Sequence, residues 1–212
     1  MMLNAVMISS CAQHEEKPFY EDIQNFKKSD RENPPPQNAI VFVGSSSFTM
    51  WKDVQDYFPG YTIINRGFGG STLEQAVDYA DDIIIPYRPK QVVIYSGEND
   101  VAGGDVTADD VVHRFVTLFK KIRNKLPDVN IVYISMKPSP SRKKFIPVMA
   151  DANEKIKDFL SKDKNATYVD VAKRMIDGSG NPREELFLDD MLHMKKEGYQ
   201  IWKEELDPVL LK

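Results

Sequence analysis

The sequence holds little of the chemistry on which several protein classes depend. Its single cysteine, Cys11, excludes an internal disulfide framework and a cysteine-rich metal site. Its three histidines, His14, His113 and His193, are far apart, and His113 has no histidine partner four residues on, so the zincin pattern is absent. We therefore expect no bound metal and no other cofactor.

Positively charged residues are also outnumbered by negatively charged ones. The chain has 28 Lys and Arg against 32 Asp and Glu, a net charge of −4. Because phosphate neutralisation needs a basic surface, we expect no nucleic-acid partner. No run approaches the ~20 apolar residues of a membrane-spanning helix. The motif G-x-x-x-x-G-K-[ST] is missing, which excludes a P-loop, although RGFGGST at residues 66–72 could still bind an anion through its backbone amides.

Residues 1–38 are predicted to form an N-terminal arm. The segment ISSC resembles a bacterial lipoprotein signal, in which Cys11 would carry a lipid anchor; this implies an exported, periplasmic or membrane-anchored protein. The usual basic residues before the apolar run are missing, so a simple apolar terminus on a cytoplasmic protein is the alternative. Phe19, Ile23 and Phe26 have helical spacing, and the prolines of RENPPPQN indicate an extended connector.

Residues 39–212 are predicted to form a single domain in which strands alternate with helices. Thr107 is a plausible N-cap for a helix over residues 107–127, and two more helices are predicted over residues 145–163 and 195–211. Continuous apolar runs alternating with helices indicate a parallel sheet covered on both faces. We therefore predict a three-layer α/β/α sandwich with a flavodoxin-like five-stranded parallel sheet, with strands at residues 39–43, 61–65, 91–96, 130–135 and 167–171.

Polar and glycine-rich segments follow every predicted strand. They read GSSS, NRGFGGST, SGEND, SMKPSPSR and, after a loop, FLDDMLH. Reactive groups of open parallel sheets gather beyond the carboxyl ends of the strands, so these segments are expected to lie together. In the last of them, His193 follows Asp190 by three residues. A buried aspartate that accepts from Nδ1 would leave Nε2 free to take a proton from a serine, whereas the alternative is an ordinary acidic loop.

The blocks GSS, N-R-G-F-G-G, G-E-N-D and D-x-x-H, in this order, resemble the SGNH/GDSL hydrolase family over residues 39–206. The resemblance implies that Ser46, rather than its neighbouring serines, is the nucleophile, and that Asp190 and His193 are its acid and base. It also implies an oxyanion hole formed by the amides of Ser46 and Gly70 and the side chain of Asn99. The three-residue spacing selects Asp190 over Asp189.

The chain departs from the family at Ser45, where an aspartate is usual, and this leaves the geometry of the serine turn open. Other polar and aromatic residues of these blocks are open between substrate contact and structural roles. The possible substrate contacts are Arg66, Phe68, Glu98 and Arg142, while Phe48 and Trp51 are further aromatic candidates for the wall of the site, with core packing favoured for Trp51.

The resemblance implies a metal-independent serine esterase that forms an acyl-enzyme. Short acyl groups, acetyl above all, on a small molecule or a carbohydrate are the expected substrates. The alternatives are a lysophospholipase or thioesterase, a platelet-activating-factor-type acetylhydrolase, and a non-catalytic binding module on the same fold.

Overall fold

The computed structural model describes residues 17–212. Within them, five parallel strands form one sheet in the order β2-β1-β3-β4-β5, which confirms the predicted flavodoxin-like arrangement. Each strand lies within two residues of its predicted start. The strands are β1 Ile40–Gly44, β2 Ile63–Gly67, β3 Gln91–Tyr95, β4 Asn130–Ile134 and β5 Ala166–Val169.

Helices connect the strands and cover both faces of the sheet. Thr107 caps the longest of them by accepting from the backbone N–H of Asp110, as its position in the sequence predicted. The helix of residues 73–83 and three single-turn helices were not predicted. The helices are α1 Tyr20–Glu32, α2 Ser46–Thr49, α3 Val54–Tyr57, α4 Leu73–Ile83, α5 Glu98–Val101, α6 Ala108–Lys125, α7 Ile146–Leu160 and α8 Lys196–Leu206.

Two apolar cores lie on opposite faces of the sheet, which confirms the three-layer sandwich. One packs α1, α4, α6 and α7 against the sheet and includes Ile23, Phe115 and Ile156. The other packs α2, α3 and α8 and centres on Trp51 and Trp202. The strands are apolar along nearly their whole length because both of their faces are buried.

The predicted N-terminal helix is confirmed as α1. It lies on the sheet rather than apart from it, since Ile23 is buried and Asp30 forms an ion pair with Arg66 of β2. Cys11 and the predicted lipoprotein signal lie outside the described residues. Within residues 17–212, no helix combines the length and the apolar character needed to cross a bilayer.

Candidate active site

Three side chains from the two ends of the domain meet at the carboxyl edge of the sheet. Ser46 opens α2 directly after β1, while Asp190 and His193 come from the loop before α8. The His193 Nε2 atom lies 2.9 Å from Ser46 Oγ, and His193 Nδ1 lies 2.6 Å from Asp190 Oδ2. These are hydrogen-bond distances, so the structure brings the three predicted residues into one chain of contacts.

The turn around Asp190 determines which nitrogen of His193 carries the proton. The Asp190 Oδ1 atom accepts from the backbone N–H groups of Leu192 and His193, both at 2.9 Å. Desolvation raises the pKa of Asp190, but the bonds from the His193 ring and from these two amides outweigh it and lower the pKa to about 2. An ionised carboxylate facing Nδ1 favours the tautomer with the proton on Nδ1, which leaves Nε2 able to accept from the Ser46 hydroxyl.

The expectation of a buried aspartate is wrong. The side chain of Asp190 is 47% exposed and that of His193 is 21% exposed. Asp190 therefore keeps its geometry through local hydrogen bonds with nearby backbone amides rather than through burial.

The three serines after β1 are not equivalent in the fold. Ser45 and Ser47 are 3% and 2% exposed, whereas Ser46 between them is partly exposed. The turn is held through the main chain, because Ser45 N–H donates to Tyr95 O and Ser45 O accepts from Phe48 N–H. The position that usually carries an aspartate in the family thus needs no side-chain bond to hold this turn.

Two tethers that the sequence did not reveal hold α2 in place. The Asn65 side-chain amide of β2 donates to Phe48 O at 2.7 Å, and the Tyr199 hydroxyl of α8 donates to Ser47 O at 2.8 Å. Both acceptors are main-chain carbonyls of the serine helix. Ser46 is therefore fixed from the neighbouring strand on one side and from the helix that follows His193 on the other.

A glycine turn after β2 lies beside Ser46. The Ser71 N–H donates to Phe68 O across Gly69 and Gly70, and Gly70 has φ +87°, which a side chain would disfavour. A Cβ built on Gly69 would lie 3.7 Å from Ser46 Cβ. Within the described residues the N–H groups of Ser46 and Gly70 donate to no protein acceptor, so both are free for an oxygen bound in the site.

Asn99 joins the same cluster from α5. Its Nδ2 atom donates to Ser71 O at 2.9 Å, which uses one of its two N–H bonds and leaves the other available. The next residue, Asp100, accepts from Leu73 N–H at 3.0 Å and from Arg114 Nη1 at 2.9 Å. Burial raises the pKa of Asp100, although the bonds from Arg114 and Leu73 oppose that shift. Asn99 thus binds Ser71 and Asp100 binds Leu73, so the two residues hold both ends of the segment of residues 71–73.

The aromatic residues proposed as a wall for the substrate lie in the core. Phe68 is 1% exposed and packs edge-on against Phe19 and Tyr79. Phe48 and Trp51 are 0% exposed. For Phe48 and Phe68 the predicted substrate contact is therefore wrong, because no ligand reaches a fully buried ring, whereas the favoured core position of Trp51 is confirmed.

Two roles were open for Arg66, substrate contact and a structural role, and the structure supports the structural one. Its guanidinium forms an ion pair with Asp30 of α1, donates to the Tyr87 hydroxyl at 2.7 Å, and lies over the Phe26 ring. Its third nitrogen donates to the neighbouring carbonyl of Asn65 at 2.9 Å. With every nitrogen of the group engaged, Arg66 fastens α1 to the sheet.

Glu98 and Arg142 differ sharply in their partners. Glu98 is 4% exposed and forms an ion pair of 2.6 Å with Lys137. Of its two open roles, substrate contact is therefore wrong, and the structure shows the structural role. Arg142 is partly exposed, and within the described residues its Nε atom has no hydrogen-bond partner. The preceding Ser141 N–H donates to Met191 O, which places Arg142 beside the loop of Asp190 and His193.

No grouping of three or more His, Cys, Asp or Glu side chains suited to a metal ion is found among residues 17–212. His113 lies on α6 and does not join the Ser46 cluster. The chemistry available at the cluster is that of a hydroxyl, an imidazole, a carboxylate and amide donors.

The fold and the order of these residues agree with comparisons to known proteins. The structure resembles a Bacteroides fragilis protein assigned as an acylhydrolase (23% identity, TM-score 0.79, covering 91% of this chain and 97% of the other). It also resembles a GDSL-like lipase from Bacteroides thetaiotaomicron (21% identity, TM-score 0.76, covering 88% and 95%). A third is an acetyl-xylooligosaccharide esterase from Geobacillus (14% identity, TM-score 0.66, covering 84% and 96%). At these identities the likeness shows the fold.

The comparison with curated protein sequences gave no match. The sequence model of the GDSL-like lipase/acylhydrolase family, however, matches residues 42–201, which include all the clustered residues described above. The chain therefore belongs to the GDSL-like lipase/acylhydrolase family and is an ester-cleaving hydrolase.

Proposed function

We propose that this hydrolase is a serine esterase that removes short acyl groups, acetyl above all, from carbohydrate esters. The single observation that carries the proposal is the chain of contacts from Asp190 through His193 to Ser46, with distances of 2.6 Å and 2.9 Å. A hydroxyl is a weak nucleophile unless an adjacent base takes its proton, and this arrangement provides such a base.

In the proposed reaction, Ser46 Oγ attacks the ester carbonyl carbon while its proton passes to His193 Nε2. The carbonyl oxygen becomes an oxyanion, which accepts from the free N–H groups of Ser46 and Gly70 and from the second N–H of Asn99. His193 then gives its proton to the departing alcohol, and an acyl-enzyme remains on Ser46. Water, deprotonated by His193, releases the acid by the same steps in reverse.

The nucleophile is tested with a fluorophosphonate probe and a p-nitrophenyl acetate assay. The wild-type protein should be labelled at Ser46, and Ser46→Ala should abolish both labelling and turnover. Ser47→Ala is the matched control, because Ser47 is the adjacent hydroxyl but is only 2% exposed. Turnover that survives in Ser46→Ala, or labelling of another serine, would contradict the proposal.

The preference for a short acyl group has support in the surroundings of Ser46. The aromatic rings nearest to Ser46 in sequence, those of Phe48 and Trp51, are buried in the core, so they offer no wall for a long acyl chain. Similarity to an acetyl-xylooligosaccharide esterase adds support for acetylated sugars.

The substrate class is tested with p-nitrophenyl acetate, butyrate and octanoate, followed by acetylated xylo-oligosaccharides and lysophosphatidylcholine. We expect kcat/KM to fall steadily with chain length and acetate to be released from the oligosaccharide. A preference for octanoate, or hydrolysis of the lysolipid alone, would favour the lysophospholipase alternative.

We also propose that the protein is exported and lipid-anchored through Cys11, on the resemblance of ISSC to a lipoprotein signal. Metabolic labelling with a palmitate analogue in a bacterial host should mark the wild-type protein and not Cys11→Ala. Equal labelling of the two would show that Cys11 carries no lipid.

A further inference from the structure

The segment that carries Asn99 has little stiffness of its own. It is the four-residue helix α5, and the residue before it, Gly97, has φ +120°. Glycine is the most permissive residue for the backbone, and a single helical turn is not stable by itself. The position of the Asn99 amide therefore depends on its own bond to Ser71 O and on the contacts of its neighbours.

Glu98, the residue directly before Asn99, has such contacts. Its Oε2 atom accepts from Lys137 Nζ at 2.6 Å and from the Tyr95 hydroxyl at 2.7 Å, and its Oε1 atom accepts from Ser139 Oγ at 3.0 Å. All four residues are at most 4% exposed. Lys137 and Ser139 follow β4, so these bonds join the start of α5 to the end of the neighbouring strand.

Stability alone gives no reason to bury this pair. Well-packed apolar side chains of similar size often stabilise a protein as well as a buried ion pair or better, because both charges lose their hydration. An ion pair differs in being directional, and here three donors fix both oxygens of one carboxylate. A displacement of about 1 Å in a catalytic group can cost a hundred-fold in rate, so fixed geometry beside Asn99 has a functional consequence.

We infer that the buried Glu98–Lys137 ion pair is a positioning pair, which holds the Asn99 amide where it can donate to the oxyanion. This inference rests on the proposed function, since it assigns the pair a role through the oxyanion donor. Neither residue contacts the reacting atoms.

The opposite side of α5 has its own tether, which makes the role of Glu98 testable. Asp100 accepts from Leu73 N–H and pairs with Arg114, independently of Lys137. Removing the Glu98–Lys137 pair should therefore leave α5 attached at Asp100. Only its start should loosen, which leaves the bond to Ser71 O as the main restraint on the Asn99 side chain.

The test is the double variant Glu98→Gln/Lys137→Met, which removes both charges together. With p-nitrophenyl acetate we expect kcat to fall about 10- to 100-fold and KM to stay within about twofold, because binding does not depend on the oxyanion donor. In an Asn99→Ala background the same two substitutions should lower kcat by less than about twofold, since the group they position is gone. A residue pair that merely supports the fold would lower kcat equally in both backgrounds.

The matched control is Arg123→Met/Asp163→Asn, which removes a partly buried ion pair between α6 and the turn before β5, at the far edge of the sheet. It should leave kcat unchanged. If the Glu98/Lys137 variant fails to fold, Tyr95→Phe is tested in its place, because it removes one donor to Glu98 and keeps the ring. It should lower kcat a few-fold in the wild-type background and leave kcat unchanged in the Asn99→Ala background.

Three outcomes would overturn the inference. A folded Glu98/Lys137 variant with wild-type kcat, or one with the same loss in the Asn99→Ala background, would refute the positioning role and leave the proposed function intact. Wild-type kcat in Asn99→Ala alone would instead refute the oxyanion role of Asn99, and the positioning role with it.

Discussion

Replacing Asp190 separates the effect of its charge from the effect of its hydrogen bonds. In the wild-type protein, Oδ1 accepts from two backbone N–H groups at 2.9 Å, and Oδ2 accepts from His193 Nδ1 at 2.6 Å. In Asp190→Asn the single carbonyl oxygen can serve only one side. Keeping the two backbone bonds is favoured, because the reverse orientation would set the NH₂ group against two other donors.

In that favoured orientation the NH₂ group of the introduced asparagine donates to Nδ1, and the proton of the imidazole moves to Nε2. His193 can then no longer take the Ser46 proton, and a wrong tautomer of this kind costs about 10⁴ in kcat. Asp190→Ala behaves differently because the aspartate is 47% exposed, so water can fill its place and either tautomer remains accessible. We expect the alanine variant to lose only about 10² in kcat.

Stability should follow the opposite order. The alanine variant loses both backbone bonds of the turn, about 1 kcal/mol in total after water replaces them, or a decrease of roughly 2–4 °C in Tm. The asparagine variant keeps those bonds and should melt close to the wild-type protein. The assays are p-nitrophenyl acetate hydrolysis and thermal melting by circular dichroism. An asparagine variant as active as the alanine variant, or more active, would refute the tautomer argument.

Four further predictions concern the oxyanion donor, the pH dependence of activity, the pH dependence of stability, and the serine turn. Asn99→Ala should lower kcat by about 10²–10³ while the protein stays folded, and Asn99→Asp should be no more active, because it keeps the shape and not the donor; wild-type kcat in either would contradict this. Because Asp190 has a pKa of about 2, it stays ionised across neutral and mildly acidic pH, so kcat/KM should show no inflection from it above about pH 4. Its lowered pKa stabilises the folded state above about pH 4, and this contribution is lost as the pH falls towards 2, which melts of wild-type and Asp190→Ala across that range would detect. Gly44→Ala should destabilise the fold by about 4 kcal/mol or more, since its Cβ would lie 1.8 Å from Tyr95 O, whereas Gly178→Ala, which has open space, should melt near the wild-type temperature.

The strands and the polar segments that follow them were predictable because their signals are local, whereas the choice of Ser46, Gly70 and Asn99 came from the resemblance to the family. Buried parallel strands are apolar throughout, and polar segments mark their carboxyl ends. α4 was missed although its start carries a local signal, the capping box of Thr72 with Gln75 three residues later. The face of β2 on which Arg66 lies could also have been predicted. Arg66 lies two residues after Ile64, so both share the strand face that α1 covers.

The partner of Glu98 had no such signal. Lys137 lies 39 residues further along the chain, in a segment whose sequence gives no spacing relation to G-E-N-D. The same holds for the Tyr199 hydroxyl on Ser47 O, which spans 152 residues. Contacts of this kind depend on how two loops at neighbouring strand ends are packed, and the composition of either loop alone does not specify it.

The two halves of the site are therefore held in place by different kinds of contact. Asp190 and His193 are three residues apart in a partly exposed loop, and their geometry follows from a turn that closes on its own backbone. Asn99 is held by its bond to Ser71 O and, through Glu98, by buried partners that are distant in sequence. Substitutions of the buried residues that follow β3 and β4, such as Glu98 and Lys137, should consequently alter the stabilisation of the oxyanion and leave the pH dependence of kcat/KM unchanged. Substitutions in the loop of residues 188–193 should instead alter the pH dependence of kcat/KM. The pH profile of kcat/KM thus distinguishes which half of the site a distant substitution has disturbed.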